Sequence, residues 1–275
     1  MPTYYINAPL LAASRDGDSE KVKAILATGA SPNAGTTSLC PLTESIENDH
    51  ALVVKILLQH GADDSDIIPY SGDLRPNVRP IENCLHYAAM VGSVGVIRML
   101  LVMGANVNSP DQIGRTALCR AAEAGITSSV RALLAGGARV DFPDRQGRTS
   151  LFWAAAEDHA NVVTVLLQAG ADVESGRATS RDATTPLLYA AGAGFHEVVD
   201  VLLANDADKD HLDRHRRSAL TRAVLKEHTV VVKVLIAWKV DLHQVDSSGL
   251  SALGHARWMR NRDIVELLEN AGAKR

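Results

Sequence analysis

The 275-residue chain lacks most of the features that would place it in a chemical class at once. It has no excess of basic residues: a net charge of −4 argues against a general nucleic-acid binder. Its N-terminus, Met-Pro-Thr-Tyr-Tyr, has no basic segment followed by an apolar core, so no secretory signal is expected. Its longest apolar stretch, around Val230 to Trp238, is interrupted by Lys233 and is far too short to span a membrane. There is no phosphate-cradling G-x-x-x-x-G-K loop and no G-x-S-x-G elbow. Three cysteines, Cys40, Cys84 and Cys119, are an odd number and too few for a disulfide framework. His211 and His215 have a spacing seen in zinc sites, but no cysteine accompanies them in the charged segment 209–217, so no metal is expected. No cofactor is expected either.

What the chain has instead is a recurring leucine. Leu10, Leu42, Leu85, Leu118, Leu151, Leu187, Leu220 and Leu253 are separated by 32, 43, 33, 33, 36, 33 and 33 residues. One period near 33 runs through residues 1–275, with insertions of ten and three residues near 66–80 and 176–184. A period of this size implies stacked supersecondary units whose stability comes from nearest-neighbour contacts.

The columns around each leucine have mechanical meanings. Thr116, Thr149, Thr185, Ser218 and Ser251 lie two residues earlier, where a hydroxyl N-caps a helix. Pro9, Pro41 and Pro186 follow at the first helical position, where a missing N–H is harmless. Ala13, Ala88, Ala121, Ala154, Ala190, Ala223 and Ala256 sit three residues on, small enough for close packing. Val162, Val165 and Leu166 have the i, i+3, i+4 spacing of an amphipathic second helix. Gly29, Gly61, Gly104, Gly137, Gly170 and Gly272, nineteen residues on, suit the left-handed position that ends such a helix. Asp206 and Lys239 replace that glycine in two units, which predicts less ideal helix ends.

The unit from Asp144 through Gly147, Thr149, Leu151, Ala154 and Ala155, then Val162-Val163 and Leu166-Leu167, to Gly170-Ala171-Asp172 resembles the ankyrin repeat. The unit follows the family's D-x-x-G-x-T-P-L-H-x-A-A start and V-V-x-L-L-L-x-x-G-A-D end, with Ser150, Phe152 and Val165 at the Pro, His and first Leu positions. The resemblance implies an all-α solenoid of about eight helix-turn-helix units forming a single domain over 1–275. His86 stands at the family's hairpin-fixing histidine, and His50, His159 and His228 follow the inter-helix turn; all four read as structural. Tyr4 and Tyr5 before the first unit, and Arg257 in place of the alanine pair's second member, read as caps, and with Met1 they suggest a self-contained chain. The cysteines fall near first-helix starts of successive units. Helices 8–10 Å apart cannot bring those Cα atoms within disulfide reach, which predicts a reduced, cytoplasmic protein, nuclear residence remaining open.

The resemblance also implies a concave face lined by hairpin tips and first helices. Two residues beyond each leucine, a position facing that groove reads Ala12, Glu44, Tyr87, Arg120, Trp153, Tyr189, Arg222 and His255. Aromatics flanked by arginines suit stacking on planar groups and holding an anion. Met90, Val91, Trp258 and Met259 add apolar contact surface. The ligand-binding candidates are therefore Tyr87, Met90, Arg120, Trp153, Tyr189, Arg222, His255 and Trp258, with Tyr70, Arg75 and Arg79 of the Pro-rich insertion, and Arg177 and Arg181 of the smaller one, beside the groove. Arg115, Arg148 and Arg217 form an apparent basic stripe that Glu123 and Glu157 balance. The expected function is a monomeric scaffold or adaptor for a protein or peptide. The alternative is a protein that binds or transforms a small anionic or aromatic molecule, with Glu123, Glu157, Tyr189, Arg222 and His255 as its acid, base or charge-holding groups.

Overall fold

A computed structural model describes residues 8–33, 40–63, 80–176 and 183–274. Among these residues the protein is all-helical, with sixteen helices and no strand beyond an isolated bridge between Val245 and Ser251. It divides into two compact units, residues 1–144 and 145–275.

The first unit contains α1 (Ala8–Asp16), α2 (Ser19–Ala27), α3 (Pro41–Glu47), α4 (Ala51–Gln59), α5 (Pro80–Val91), α6 (Val94–Val102), α7 (Ala117–Glu123) and α8 (Thr127–Ala135). The second contains α9 (Ser150–Ala156), α10 (Ala160–Gln168), α11 (Pro186–Ala193), α12 (His196–Ala204), α13 (Ala219–Leu225), α14 (Thr229–Ala237), α15 (Ala252–Trp258) and α16 (Arg262–Asn270). In each unit odd-numbered helices stack on one another as a layer of first helices, and even-numbered ones stack as a layer of second helices. Each hairpin pair joins the two layers, which is the ankyrin solenoid arrangement.

The repeating columns explain that stacking. All eight anchor leucines are buried, and each alanine three residues beyond is fully shielded from water. A methyl at that position lets first helices approach closely, and a larger group would hold them apart. From the second helices, Val162, Val163, Val165 and Leu166 of α10 fill the space between layers, as do Val198, Val199, Leu202 and Leu203 of α12.

The helix ends follow the sequence with two exceptions. Thr116, Thr185, Ser218 and Ser251 each accept the N–H of the residue three further on, and Pro41 and Pro186 open their helices. Thr149 does not cap α9; its hydroxyl donates to Ser175 Oγ at 2.7 Å. Cys40, in the same column, does cap: its sulfur accepts from Thr43 N, while Thr43 Oγ1 accepts from Cys40 N. All three cysteines are buried free thiols. The helix-ending glycines have φ between 84° and 94°, and Asp206 and Lys239 are held at 63° and 56°, where a Cβ is strained.

Polar ties lock neighbouring pairs. His50 Nε2 bonds Arg15 O at 2.9 Å and His228 Nε2 bonds Gly192 O at 3.1 Å, each reaching back to the preceding first helix. Each ring lies so close to Gly17 or Gly194 that a Cβ there would stand 2.6 or 2.8 Å from a ring nitrogen. At the hairpins, Asn108 Oδ1 accepts from Arg139 N, Glu174 Oε1 from Asp208 N and Asp210 Oδ1 from Asp241 N, at 2.8–2.9 Å.

Candidate functional site: the first-helix face

The hairpins before α7, α13 and α15 are each organised by a buried aspartate seven residues ahead of the anchor leucine. Asp111 Oδ1 accepts from Ile113 N and Arg115 N at 3.1 and 2.8 Å. Asp213 Oδ1 does the same for His215 N and Arg217 N at 2.8 and 2.9 Å, and Asp246 Oδ1 for Ser248 N and Leu250 N at 2.8 and 3.3 Å. One oxygen therefore closes the turn and the other is left for the first helix.

That second oxygen takes hold of the groove column. Asp111 Oδ2 pairs with Arg115 Nε and with Arg120 at 3.1 Å each. Asp213 Oδ2 accepts from Arg217 Nε at 2.9 Å and from Arg222 Nε and Nη2 at 3.1 and 2.7 Å. Asp246 Oδ2 meets His255 Nε2 at 2.7 Å. The residue two beyond the leucine is thus braced against the hairpin nine residues before it. Burial alone raises the Asp213 carboxyl, but the Arg217 N–H and the Arg222 and Arg217 guanidiniums outweigh it and leave it below the usual range. For Asp246 burial is likewise outweighed, by the Ser248 hydroxyl, His255 and the Ser248 and Leu250 N–H groups, bringing it to about 2.

The candidates named from sequence therefore have unlike surroundings. Arg120 and His255 are buried against their aspartates. Tyr87 is buried, with its hydroxyl on Glu47. Glu123 accepts from Arg115 at 3.0 Å and lies 3.6 Å from Arg120, inside the same ion cluster. Arg148 stacks over the half-buried Trp153 ring, 4.1 Å from its centroid. Met90 is half-buried, Glu157 is exposed and Trp258 is 77% exposed. Tyr189 is 39% exposed, its ring set edge-on to Phe152 at 5.4 Å. Tyr70, Arg75, Arg79, Arg177 and Arg181 lie outside the described residues, as do Tyr4 and Tyr5. His86 is buried, bonded to Glu82 O at 2.8 Å and to Arg115 O at 3.3 Å, and burial holds its pKa below the ordinary value.

Tyr189 and Arg222 are brought together. With Gly192, Leu225, Lys226 and Arg217 they line a cleft of ≈ 360 Å³ between α11 and α13. The aspartate column and this glycine-floored cleft went unread in the sequence. The first was visible as Asp at −7 and a basic residue at +2, with Arg115 and Arg217 at −3 in two of the three units. The second was visible as a glycine where other units carry Met90, Glu123, Leu225 or Trp258.

The family model described as ankyrin repeats (3 copies) matches two stretches, residues 85–177 and 187–274, so the chain belongs to the ankyrin repeat family. It is similar over 87 residues (32% of this chain, 15% of the relative) to an L-asparaginase of Dirofilaria immitis, at 36% identity. It matches Rabankyrin-5 of Mus musculus at 30% identity over 94 residues, 34% of this chain and 8% of that one. A probable E3 ubiquitin-protein ligase XBOS32 of Oryza sativa subsp. japonica is 35% identical over 83 residues, 28% of this chain and 17% of the relative. The matches thus span under a fifth of each of these curated relatives. Among solved structures, the human ASB11 ankyrin repeat domain is similar with a TM-score of 0.63 and 28% identity, over 69% of this chain and 84% of that one. No helix among the described residues is long and apolar enough to cross a membrane.

Proposed function

We propose that this chain, acting as one ankyrin domain and as a cytoplasmic monomer, docks a protein or peptide segment on the face lined by its first helices and hairpin tips. One observation carries the reading. In the groove column Arg120 and His255 are buried against hairpin aspartates, whereas Tyr189 stands 39% exposed at the rim of a cleft. A large ring held by one edge contact and open to water is a common form of interface anchor. The volume of the same cleft favours the second reading, a small anionic or aromatic ligand.

The test places the photocrosslinker benzoylphenylalanine at position 189 and, separately, at Glu197, an exposed residue of the second-helix layer. After irradiation in native cells, a discrete protein adduct at 189 and none at 197 is expected. Equal adducts at both positions, or none at 189, would remove the reading.

A further inference from the structure

The α11–α13 cleft has a chemistry of its own. Its lining has three cations, Arg217, Arg222 and Lys226, and no carboxylate. The single acid in contact with them among the described residues is Asp213, whose Oδ2 serves both guanidiniums. Arg217 offers Asp213 only its Nε, and Arg222 bonds through Nε and Nη2, the latter also to Thr184 Oγ1 at 3.2 Å. The terminal nitrogens of Arg217 and Nη1 of Arg222 bond no acceptor among the described residues, and Lys226 is exposed without an ion pair among them. Three positive charges on one negative leave a net positive cleft whose guanidinium donors are held in place by the buried aspartate beneath.

The remaining wall is apolar. Tyr189 presents its ring, Leu225 a half-buried side chain, and Gly192 no side chain at all. A Cβ at Gly192 would meet Arg222 Cβ at 3.6 Å and Cδ at 3.8 Å, ordinary contact distances, and its φ is not in the left-handed range. Nothing in the backbone therefore demands glycine there. Inside a helix glycine is the least favourable residue after proline, so α11 gives up helix stability for an open floor.

We propose that this cleft is the seat for an acidic peptide segment: a glutamate or aspartate side chain against Arg217, Arg222 and Lys226, with a neighbouring aromatic or aliphatic side chain on Tyr189 over the Gly192 floor. The proposal rests on the protein-recognition reading above and specifies its partner. Charge complementarity chooses the acid, and prepositioned guanidiniums bind a carboxylate with little loss of side-chain freedom. The cleft's ≈ 360 Å³ lies in the range of sites that enclose compact groups.

The experiment pans a random dodecapeptide phage library against the full chain and titrates the selected synthetic peptides by fluorescence anisotropy. Peptides with Asp or Glu beside Phe, Trp, Tyr, Leu or Ile should be enriched. Their affinity should fall with added salt, and about tenfold or more in Lys226→Glu, where a charge facing the carboxylate reverses. Gly192→Leu places at 192 the residue found at the equivalent position of the next unit, Leu225. It should weaken the same peptides by about tenfold or more while the melting temperature rises or holds. A glycine kept only for folding would not separate the two readouts in that way. Selected peptides without acidic residues, or acidic peptides that bind both variants as they bind the parent, overturn the proposal. If selected peptides instead lose affinity in Trp258→Ala alone, the cleft assignment falls and protein recognition by the first-helix face stands. If the library yields no binder, both fall.

Discussion

Replacing Asp213 by asparagine tests the hairpin aspartate as the device that organises the first-helix face. Asp213 is 4% exposed, and its carboxylate accepts five hydrogen bonds. Asparagine keeps Oδ1, so the His215 and Arg217 N–H groups remain satisfied. It puts an NH₂ where three guanidinium N–H bonds converge and removes the only negative charge between two cations. Breaking a fully buried pair costs about 3–5 kcal/mol. The Arg222 and Arg217 side chains are 17% and 33% exposed, so water re-solvates part of them and the expected loss is about 2–3 kcal/mol. All three tryptophans, Trp153, Trp238 and Trp258, lie in the second unit, so tryptophan fluorescence in urea reports that unit alone. The midpoint should fall by about 1 M at an unchanged slope. A loss below about 0.5 kcal/mol, the range of ordinary surface changes, would refute the argument.

Three further outcomes follow from the same geometry. Asp213 and Asp246 both titrate below the unfolded value of about 3.9, so the stability they contribute is complete above that pH and is lost as pH falls below it, for Asp246 toward about 2; urea midpoints should decline as pH falls through that range, and Asp246→Asn should flatten the decline, an unchanged slope being the contrary result. Arg216 holds φ 56° at the turn position where Gly114 and Gly249 stand in other hairpins, so Arg216→Gly should raise stability by about 1 kcal/mol in the fluorescence-monitored melt, whereas a loss would mean that the Arg216 side chain contributes more than the strain. Ala154→Leu should cost about 1–3 kcal/mol by overpacking a fully buried column, and an unmoved midpoint would mean that neighbouring first helices are not in close contact there.

The sequence carried the fold because every ankyrin column is a local rule repeated. A hydroxyl before Leu118 caps α7 whatever the next unit does, and Gly104 ends α6 because its own backbone turns left-handed. Exceptions arose where a side chain had a stronger partner elsewhere: Thr149 turns to Ser175, twenty-six residues away, and Cys40 takes the cap that a hydroxyl fills in other units. The aspartate brace was harder to read, since Asp213 and Arg222 lie nine residues apart across a turn and share no helix face. Charge along the groove column could be read from sequence; how much of it is already held by the hairpins could not. Arg120 and Arg222 look alike in the chain, yet Arg120 is sealed within an ion cluster that includes Glu123, while Arg222 borders an open cleft.

The most direct measurement is a calorimetric titration of the partner captured at position 189 against the parent chain, Tyr189→Ala and Glu197→Ala. Recognition through the first-helix face predicts that Tyr189→Ala weakens binding by about 2 kcal/mol, roughly thirtyfold in Kd, with no loss of melting temperature, and that Glu197→Ala changes nothing. Unaltered affinity in Tyr189→Ala, or an equal loss in Glu197→Ala, would contradict it.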